Sequence, residues 1–209
     1  MIVSIHIPRT GGTSFLHYLR AQFGVRLLED YSWAAAGADP RMMDDYDCIH
    51  GHFFSRRYRR LASPRFACWF REPFDRLRSH YSFWLENDFP DNRLWSAMRS
   101  EHWSFEQFAT SADNSVRNLQ SQLLDVLQIH ELAFVGLTEQ YERSLSVFER
   151  VFALPPRGHE IRARQTRFTS WGSLSAPSIN TIRRLHAEDF ELYEQAKRRF
   201  ADLAAAYNL

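Results

Sequence analysis

Apolar residues along this chain occur in short runs, separated by stretches in which they recur every three or four positions. Four short runs have the length and the β-branched or aromatic content of buried strands: Ile2 to Ile7, Tyr46 to His50, Arg65 to Phe70 and Leu132 to Gly136. The stretch from Leu27 to Asp45 has no such pattern, and we expect a loop there.

Helical spacing follows these runs. The expected helices begin near Thr13, Pro73, Ser104, Val116, Thr138 and Ser178. Residues 178–207 should form the C-terminal helices, with a break near Ala187, and the polar segment 157–175 should be a loop. Because strands alternate with helices, we expect an α/β fold: residues 1–209 as a single domain with a P-loop-like, mostly parallel sheet flanked by helices.

Composition narrows the function classes. The chain has 209 residues, of which 44% are hydrophobic, so a sizeable core is expected. Its 26 basic and 25 acidic residues give a net charge of +1, which argues against binding nucleic acid through bulk charge. No signal peptide and no run of about 20 apolar residues is present, so we expect no membrane span and a cytoplasmic protein. Cys48 and Cys68 lie in apolar runs and form no metal-binding pattern.

The first chemical motif follows the first predicted strand. It reads Pro8-Arg9-Thr10-Gly11-Gly12-Thr13-Ser14. Its glycines permit a tight turn, and the amide groups of Gly12, Thr13 and Ser14 at a helix start favour an anion. Arg9 and the hydroxyl groups add donors. No lysine follows Gly12, so this is not a Walker A loop, and magnesium-dependent nucleotide chemistry is poorly supported.

The second motif, from Phe70 to Tyr81, follows the third predicted strand and reads FREPFDRLRSHY. Arg71 should stand at the carboxyl end of that strand, and Ser79 should lie about two turns into the next helix. The carboxyl ends of parallel strands share one edge, which is where ligands bind in such sheets. A cation and a hydroxyl would therefore form a second anion site beside the first.

Together the two motifs resemble those of the sulfotransferases that use 3′-phosphoadenosine 5′-phosphosulfate (PAPS). The resemblance is to the branch of the heparan sulfate 2-O- and 6-O-sulfotransferases and their bacterial relatives. It implies that Arg9 to Ser14 (Arg9, Thr10, Gly11, Gly12, Thr13 and Ser14) bind the 5′-phosphosulfate, and that Arg71 and Ser79 bind the 3′-phosphate. The family has lysine where this chain has Arg9, which keeps the charge but cannot readily give up a proton.

A candidate base follows the second predicted strand, in the sequence His50-Gly51-His52. Sulfuryl transfer to an alcohol requires removal of the acceptor proton, and an imidazole suits that task. The resemblance assigns the catalytic base to His52 and leaves His50 as a support or a substrate contact. The other histidines, His6 among them, form no recognisable constellation, and only His80 is kept in reserve.

Two further segments complete the expected site. The basic run that includes Arg56 and Arg57 could attract an anionic sugar, or could be a solvated turn. The resemblance implies that the loop 157–175 covers the nucleotide.

The resemblance thus implies transfer of a sulfuryl group from PAPS to a hydroxyl, with a carbohydrate as the expected acceptor, 3′,5′-adenosine diphosphate as product and no metal. Two alternatives remain: a P-loop-like kinase of a small molecule, and a non-catalytic relative that only binds the nucleotide.

Overall fold

Five parallel strands form one sheet at the centre of the protein. The computed structural model describes residues 1–33, 36–39, 43–156 and 174–209. The strands are β1 (Ile2–Ile5), β2 (Leu27–Glu29), β3 (Cys48–Gly51), β4 (Arg65–Phe70) and β5 (Phe134–Leu137). Their order across the sheet is β2-β3-β1-β4-β5. This confirms the predicted α/β class with a parallel sheet.

Eight helices of the described residues accompany the strands. They are α1 (Gly12–Phe23), α2 (Pro73–Glu86), α3 (Arg93–Ser100), α4 (Phe105–Ala109), α5 (Leu119–Leu124), α6 (Tyr141–Phe152), α7 (Ala176–Leu185) and α8 (Ala187–Ala206). Short 3₁₀ turns occupy Gly24–Arg26, Ser55–Tyr58, Ile129–Glu131 and Thr138–Gln140. The predicted break near Ala187 is confirmed, because α7 ends two residues before that point.

Local chemistry explains several helix starts. Pro73 occupies the first turn of α2, and the Glu72 carboxylate accepts from the Asp75 amide there. Ser104 forms the predicted capping box with Gln107 at the start of α4. These caps set the direction in which each helix leaves the preceding segment.

The buried apolar residues form two clusters. The larger one lies between the sheet and helices α1, α5, α6 and α8, with Phe15, Phe70 and Phe148 among its fully buried side chains. The smaller one joins α2, α3, α4 and α7 through residues such as Leu77, Phe108 and Ile182. Helix α2 therefore connects the sheet edge to a helical layer beside it.

The strand register brings the motif segments to one edge of the sheet. Ile5, the last residue of β1, pairs with Gly51 of β3 and with Cys68 of β4. The residues that follow β1, β3 and β4 consequently emerge side by side. The sequence places the two anion motifs and the His-Gly-His segment at these three strand ends.

Two expectations about elements need correction. The stretch from Leu27 to Asp45 is not all loop, because Leu27–Glu29 pairs with β3 as an edge strand. The first strand ends at Ile5 rather than Ile7. Of the predicted cofactor-covering loop at 157–175, all but Leu174 and Ser175 lie outside the described residues.

Candidate functional site

The loop after β1 turns sharply before α1 begins. Arg9 has a φ of 72° and Gly11 a φ of 88°, both in the left-handed region. The buried Thr10 hydroxyl donates to the Ile7 carbonyl at 2.8 Å. Thr138 Oγ1 lies 2.9 Å from the Thr10 carbonyl and 3.0 Å from the Phe70 carbonyl, so it ties the loop to the end of β4.

The start of α1 presents backbone donors. The first helical bond that involves the cap runs from the Phe15 amide to the Gly11 carbonyl, at 3.2 Å. Within the described part of the chain, no group accepts from the amides of Gly12, Thr13 and Ser14. These three amides and the helix dipole can bind an anion.

The side chain of His6 lies directly against Gly12. A methyl group placed on the Gly12 Cα would come within 1.7 Å of His6 Nε2. Any side chain at this position would clash with His6, so glycine is required there for a steric reason.

The two anion motifs meet through their side chains. Arg9 Nε donates to Ser79 Oγ at 3.0 Å, and the Arg9 guanidinium lies 4.4 Å from the centroid of the Phe83 ring. Arg71 Nη1 donates to the Arg9 carbonyl at 3.2 Å. The structure thus brings together Arg9, Arg71 and Ser79, which belong to motifs that are far apart in the sequence.

Arg71 lies at the carboxyl end of β4 and is partly buried. Burial lowers the pKa of its guanidinium, and the carboxylates of Asp75, Glu139 and Glu72 oppose that change. Burial raises the pKa of Glu72, and hydrogen bonds from the Asp75 and Phe74 amides oppose that shift. Arg71 therefore remains the cation of this corner of the site.

Three imidazoles lie together at the ends of β1 and β3. The His6 ring centroid is 5.0 Å from that of His50 and 4.4 Å from that of His52. His52 Nδ1 is 2.7 Å from the His6 carbonyl, and since a carbonyl only accepts, Nδ1 carries the hydrogen. Neutral His52 therefore has its lone pair on Nε2, as a general base requires.

Burial lowers the pKa of all three rings. The pKa of His52 is lowered by burial, although the bond to the His6 carbonyl opposes the shift. Burial and the neighbouring cationic forms hold the pKa of His6 well below its ordinary value. Burial and the His52 charge lower the pKa of His50 to about 3. All three side chains are consequently neutral near pH 7.

The expectation that His50 could contact an acceptor is not supported by its position. Its side chain is 1% exposed, and its Nδ1 is 2.9 Å from Ser4 Oγ within β1. A ring without exposed surface cannot reach an acceptor, so His50 fits the supporting role. His80, kept in reserve, is also buried, between Trp84 and Phe108.

Two aromatic residues form one side of the His52 environment. The Trp33 ring stacks on His52 with 4.8 Å between centroids, and the Tyr31 ring meets His52 edge-on at 4.8 Å. Trp33 is 46% exposed. An accessible apolar surface therefore lies beside the candidate base.

Two arginines of the basic run after β3, Arg56 and Arg57, are paired with carboxylates. Arg57 pairs with Asp30 at 2.6 Å, and Asp30 also accepts from the Tyr58 hydroxyl at 2.6 Å. Arg56 pairs with Asp125. The predicted attraction of an anionic acceptor by Arg56 and Arg57 is therefore weakened, and the 22% exposure of the Arg57 side chain fits a structural role.

Several residues of this region were not expected from the sequence. His6, Tyr31 and Trp33 join the His52 environment, and Gln120 contacts the Arg71 backbone. The position of His6 just before the first motif was the one feature of the sequence that could have indicated a place for it in this region. The aromatic pair comes from the stretch that was expected to be a loop, and Gln120 lies in the helix expected from Val116, without a role assigned to it.

Neither a protein-family model nor a curated protein matches this chain. Among the described residues, no helix is both long and apolar enough to cross a membrane. The same residues contain no group of three or more His, Cys, Asp or Glu side chains placed to bind a metal ion. A function must therefore be inferred from the geometry of the chain itself.

Proposed function

We propose that the protein transfers a sulfuryl group from PAPS to a hydroxyl acceptor. One observation carries the proposal: Arg9, Ser79 and Arg71 converge beside the amides at the start of α1, for which the described residues provide no acceptor. This arrangement offers donors for two separate anions. A nucleotide with anionic groups at both its 5′ and 3′ ends suits it better than one with a single phosphate chain.

The donors fit the two ends of PAPS in different ways. The amides of Gly12, Thr13 and Ser14, with the Arg9 guanidinium, would hold the 5′-phosphosulfate. Arg71 and Ser79 would hold the 3′-phosphate. PAPS supplies the activated sulfuryl group, and these residues orient it, which lowers the entropic part of the barrier.

His52 is the proposed general base. Its Nε2 would take the proton of the acceptor hydroxyl as the oxygen forms its bond to sulfur and the bond from sulfur to the phosphate oxygen breaks. The His6 carbonyl keeps the Nδ1 hydrogen in place and so preserves the lone pair on Nε2. Burial keeps the ring neutral and ready to accept.

Arg9 would stabilise the negative charge that develops on the leaving phosphate. Its guanidinium remains protonated at any physiological pH, so it acts through charge and hydrogen bonds and does not donate a proton. The bond to Ser79 and the contact with the Phe83 ring restrict its orientation.

The proposed acceptor is a carbohydrate. The exposed Trp33 ring beside His52 offers a flat apolar surface of the kind on which a sugar ring can lie. The proposal also places the protein in the cytoplasm, because Cys48 and Cys68 are free and buried, as in proteins of reducing compartments.

A second candidate is a protein that binds the nucleotide without turnover. The observation that favours it is Arg9, which stands where the resembled family has lysine. No specific observation favours the kinase alternative.

A transfer assay separates these functions. The purified protein is incubated with ³⁵S-labelled PAPS and a panel of sugars, lipids and phenols, with and without EDTA. The proposal predicts a labelled product that forms in EDTA and is absent with His52→Ala. Transfer of phosphate from ATP that requires Mg²⁺ would instead identify a kinase, and nucleotide binding without product on any acceptor would identify the binding protein.

A further inference from the structure

The side chain of Gln120 in α5 both accepts a hydrogen bond from the Arg71 backbone and donates one to it. Its Oε1 accepts from the Arg71 amide at 3.0 Å, and its Nε2 donates to the Arg71 carbonyl at 3.0 Å. Its side chain is fully buried. These are the two bonds that a neighbouring strand makes with a strand residue.

The Gln120 side chain bonds to the residue that directly follows strand β4. Pairing between β4 and β5 ends at Phe70 and Leu137. Arg71 follows directly, and Gln120 supplies both an acceptor and a donor to its backbone. Since the Gln120 side chain is fully buried, leaving its amide unpaired would be costly, so these two bonds hold the Arg71 peptide in place.

Gln120 is held in turn by a carboxylate from α8. The Asp189 side chain is 0% exposed. It accepts from the backbone amide of Gln120 at 3.3 Å and from the backbone amide of Ser121 at 2.9 Å. Its other neighbour is the buried Arg76 of α2, with an N···O distance of 3.8 Å. Helices α2, α5 and α8 thus meet at one buried charge pair directly behind Gln120.

Arg76, which belongs to the second motif, also contacts the residues just before α5. Its Nη2 donates to the Val116 carbonyl at 3.0 Å, just before α5. Arg76 and Arg71 belong to the same segment, which is thus joined to α5 through Gln120 and to the residues just before α5 through Val116. These contacts consequently restrict the position of the Arg71 backbone and the direction in which its side chain leaves it.

We propose that Gln120 is a positioning residue for Arg71 and thereby sets the preference of the site for a nucleotide with a 3′-phosphate. The inference rests on the proposed function, in which Arg71 binds that phosphate. A long side chain reaches a small anion accurately only if its backbone is held in place. Loss of the amide would let the Arg71 peptide move and misplace the guanidinium.

The test compares the affinities for 3′,5′-adenosine diphosphate and AMP, measured by titration calorimetry. The variants are Gln120→Met, which keeps the volume, and Gln120→Glu, which keeps the acceptor but places an oxygen against the Arg71 carbonyl. The matched control is Gln122→Met in the same helix, because the Gln122 amide donates to the Asn114 and Arg117 carbonyls and does not contact Arg71. Thermal unfolding of each variant confirms that it is folded.

We expect Gln120→Met to reduce the preference for 3′,5′-adenosine diphosphate over AMP by about tenfold, as the loss of a hydrogen-bonded pair would. Gln120→Glu should reduce it as well, so that failure of one variant to fold leaves the other informative. Affinity for AMP and the preference of the Gln122→Met control should stay near wild type.

An unchanged preference in a folded Gln120 variant would overturn the inference. An equal loss of affinity for both nucleotides would do the same, because it would show a general structural role. The wild-type measurement separates this failure from failure of the proposed function: a wild-type protein without any preference would remove the 3′-phosphate site itself.

Discussion

Arg9 Nε donates a hydrogen bond to Ser79 Oγ, with 3.0 Å between the two atoms, although the residues are 70 positions apart in the sequence. Arg9 leaves the end of β1, and Ser79 lies in α2, which follows β4. The two strands are neighbours in the sheet, so the parallel arrangement brings both motifs to one edge. The contact is the physical link between the two proposed anion sites.

Replacement of Arg9 tests its electrostatic role. Arg9→Ala should weaken binding of 3′,5′-adenosine diphosphate by about 2 kcal/mol, the scale of a charge-assisted hydrogen bond. Arg9→Lys should retain part of that affinity because it keeps the charge. Titration calorimetry measures both, with Arg20→Ala as the control, since Arg20 forms an exposed pair with Glu29. Wild-type affinity in folded Arg9→Ala would exclude Arg9 from the site.

Gly12→Ala should disrupt the loop. The added methyl group would approach His6 Nε2 to 1.7 Å, and His6 is held between His50 and His52. Overpacking of this kind costs about 1–3 kcal/mol, and we expect nucleotide affinity to fall as well. Chemical denaturation gives the change in the free energy of unfolding. Gly37→Ala is the control, because no described residue lies within 4 Å of its added methyl group. Equal stability of the two variants would mean that His6 does not fill this space.

The elements that carry the motifs could be predicted from the sequence because their signals are local. The run Arg65–Phe70 is a strand with the predicted bounds, and Pro73 begins α2 as its ring geometry favours. The proximity of Arg9, Arg71 and Ser79 also followed, because parallel strands place their carboxyl ends together.

Other parts depend on contacts that no local pattern carries. Strand β2 has three residues and an exposed Glu29, so pairing with β3 alone makes it a strand. His6 joins the imidazole cluster because the register places Ser4 beside His50. Arg57 looked like an exposed cation, and only the fold brings Asp30 to it.

The pH dependence of transfer should report His52. Only the neutral ring can accept a proton, and burial lowers the pKa of His52 below 6.5. As the pH falls, the rate should therefore decline only below the range of an ordinary histidine. A profile of log kcat against pH measures this, and His52→Ala should abolish transfer while nucleotide affinity stays near wild type. Retained turnover in that variant would place the base on another residue.

Stability should fall on acidification partly through His50. Its pKa is about 3 in the folded protein and near 6.5 in the unfolded chain. Between these values the unfolded state binds the extra proton, so stability is full above about pH 6.5 and is lost as the pH falls towards 3. The pKa of His6 is also lowered in the folded protein, so its protonation likewise reduces stability as the pH falls. Denaturation at pH 7 and pH 5 should show His50→Asn losing less stability than wild type, by up to about 2 kcal/mol. An identical loss in both proteins would contradict burial of the neutral ring.

The most direct measurement is a calorimetric titration of the wild-type protein with 3′,5′-adenosine diphosphate and with AMP. A site with two anion-binding corners predicts markedly tighter binding of the nucleotide that carries both phosphates, by about tenfold or more, and loss of that preference in Arg71→Ala. Equal affinity for the two nucleotides would contradict the two-anion site and, with it, the assignment of PAPS as the sulfuryl donor.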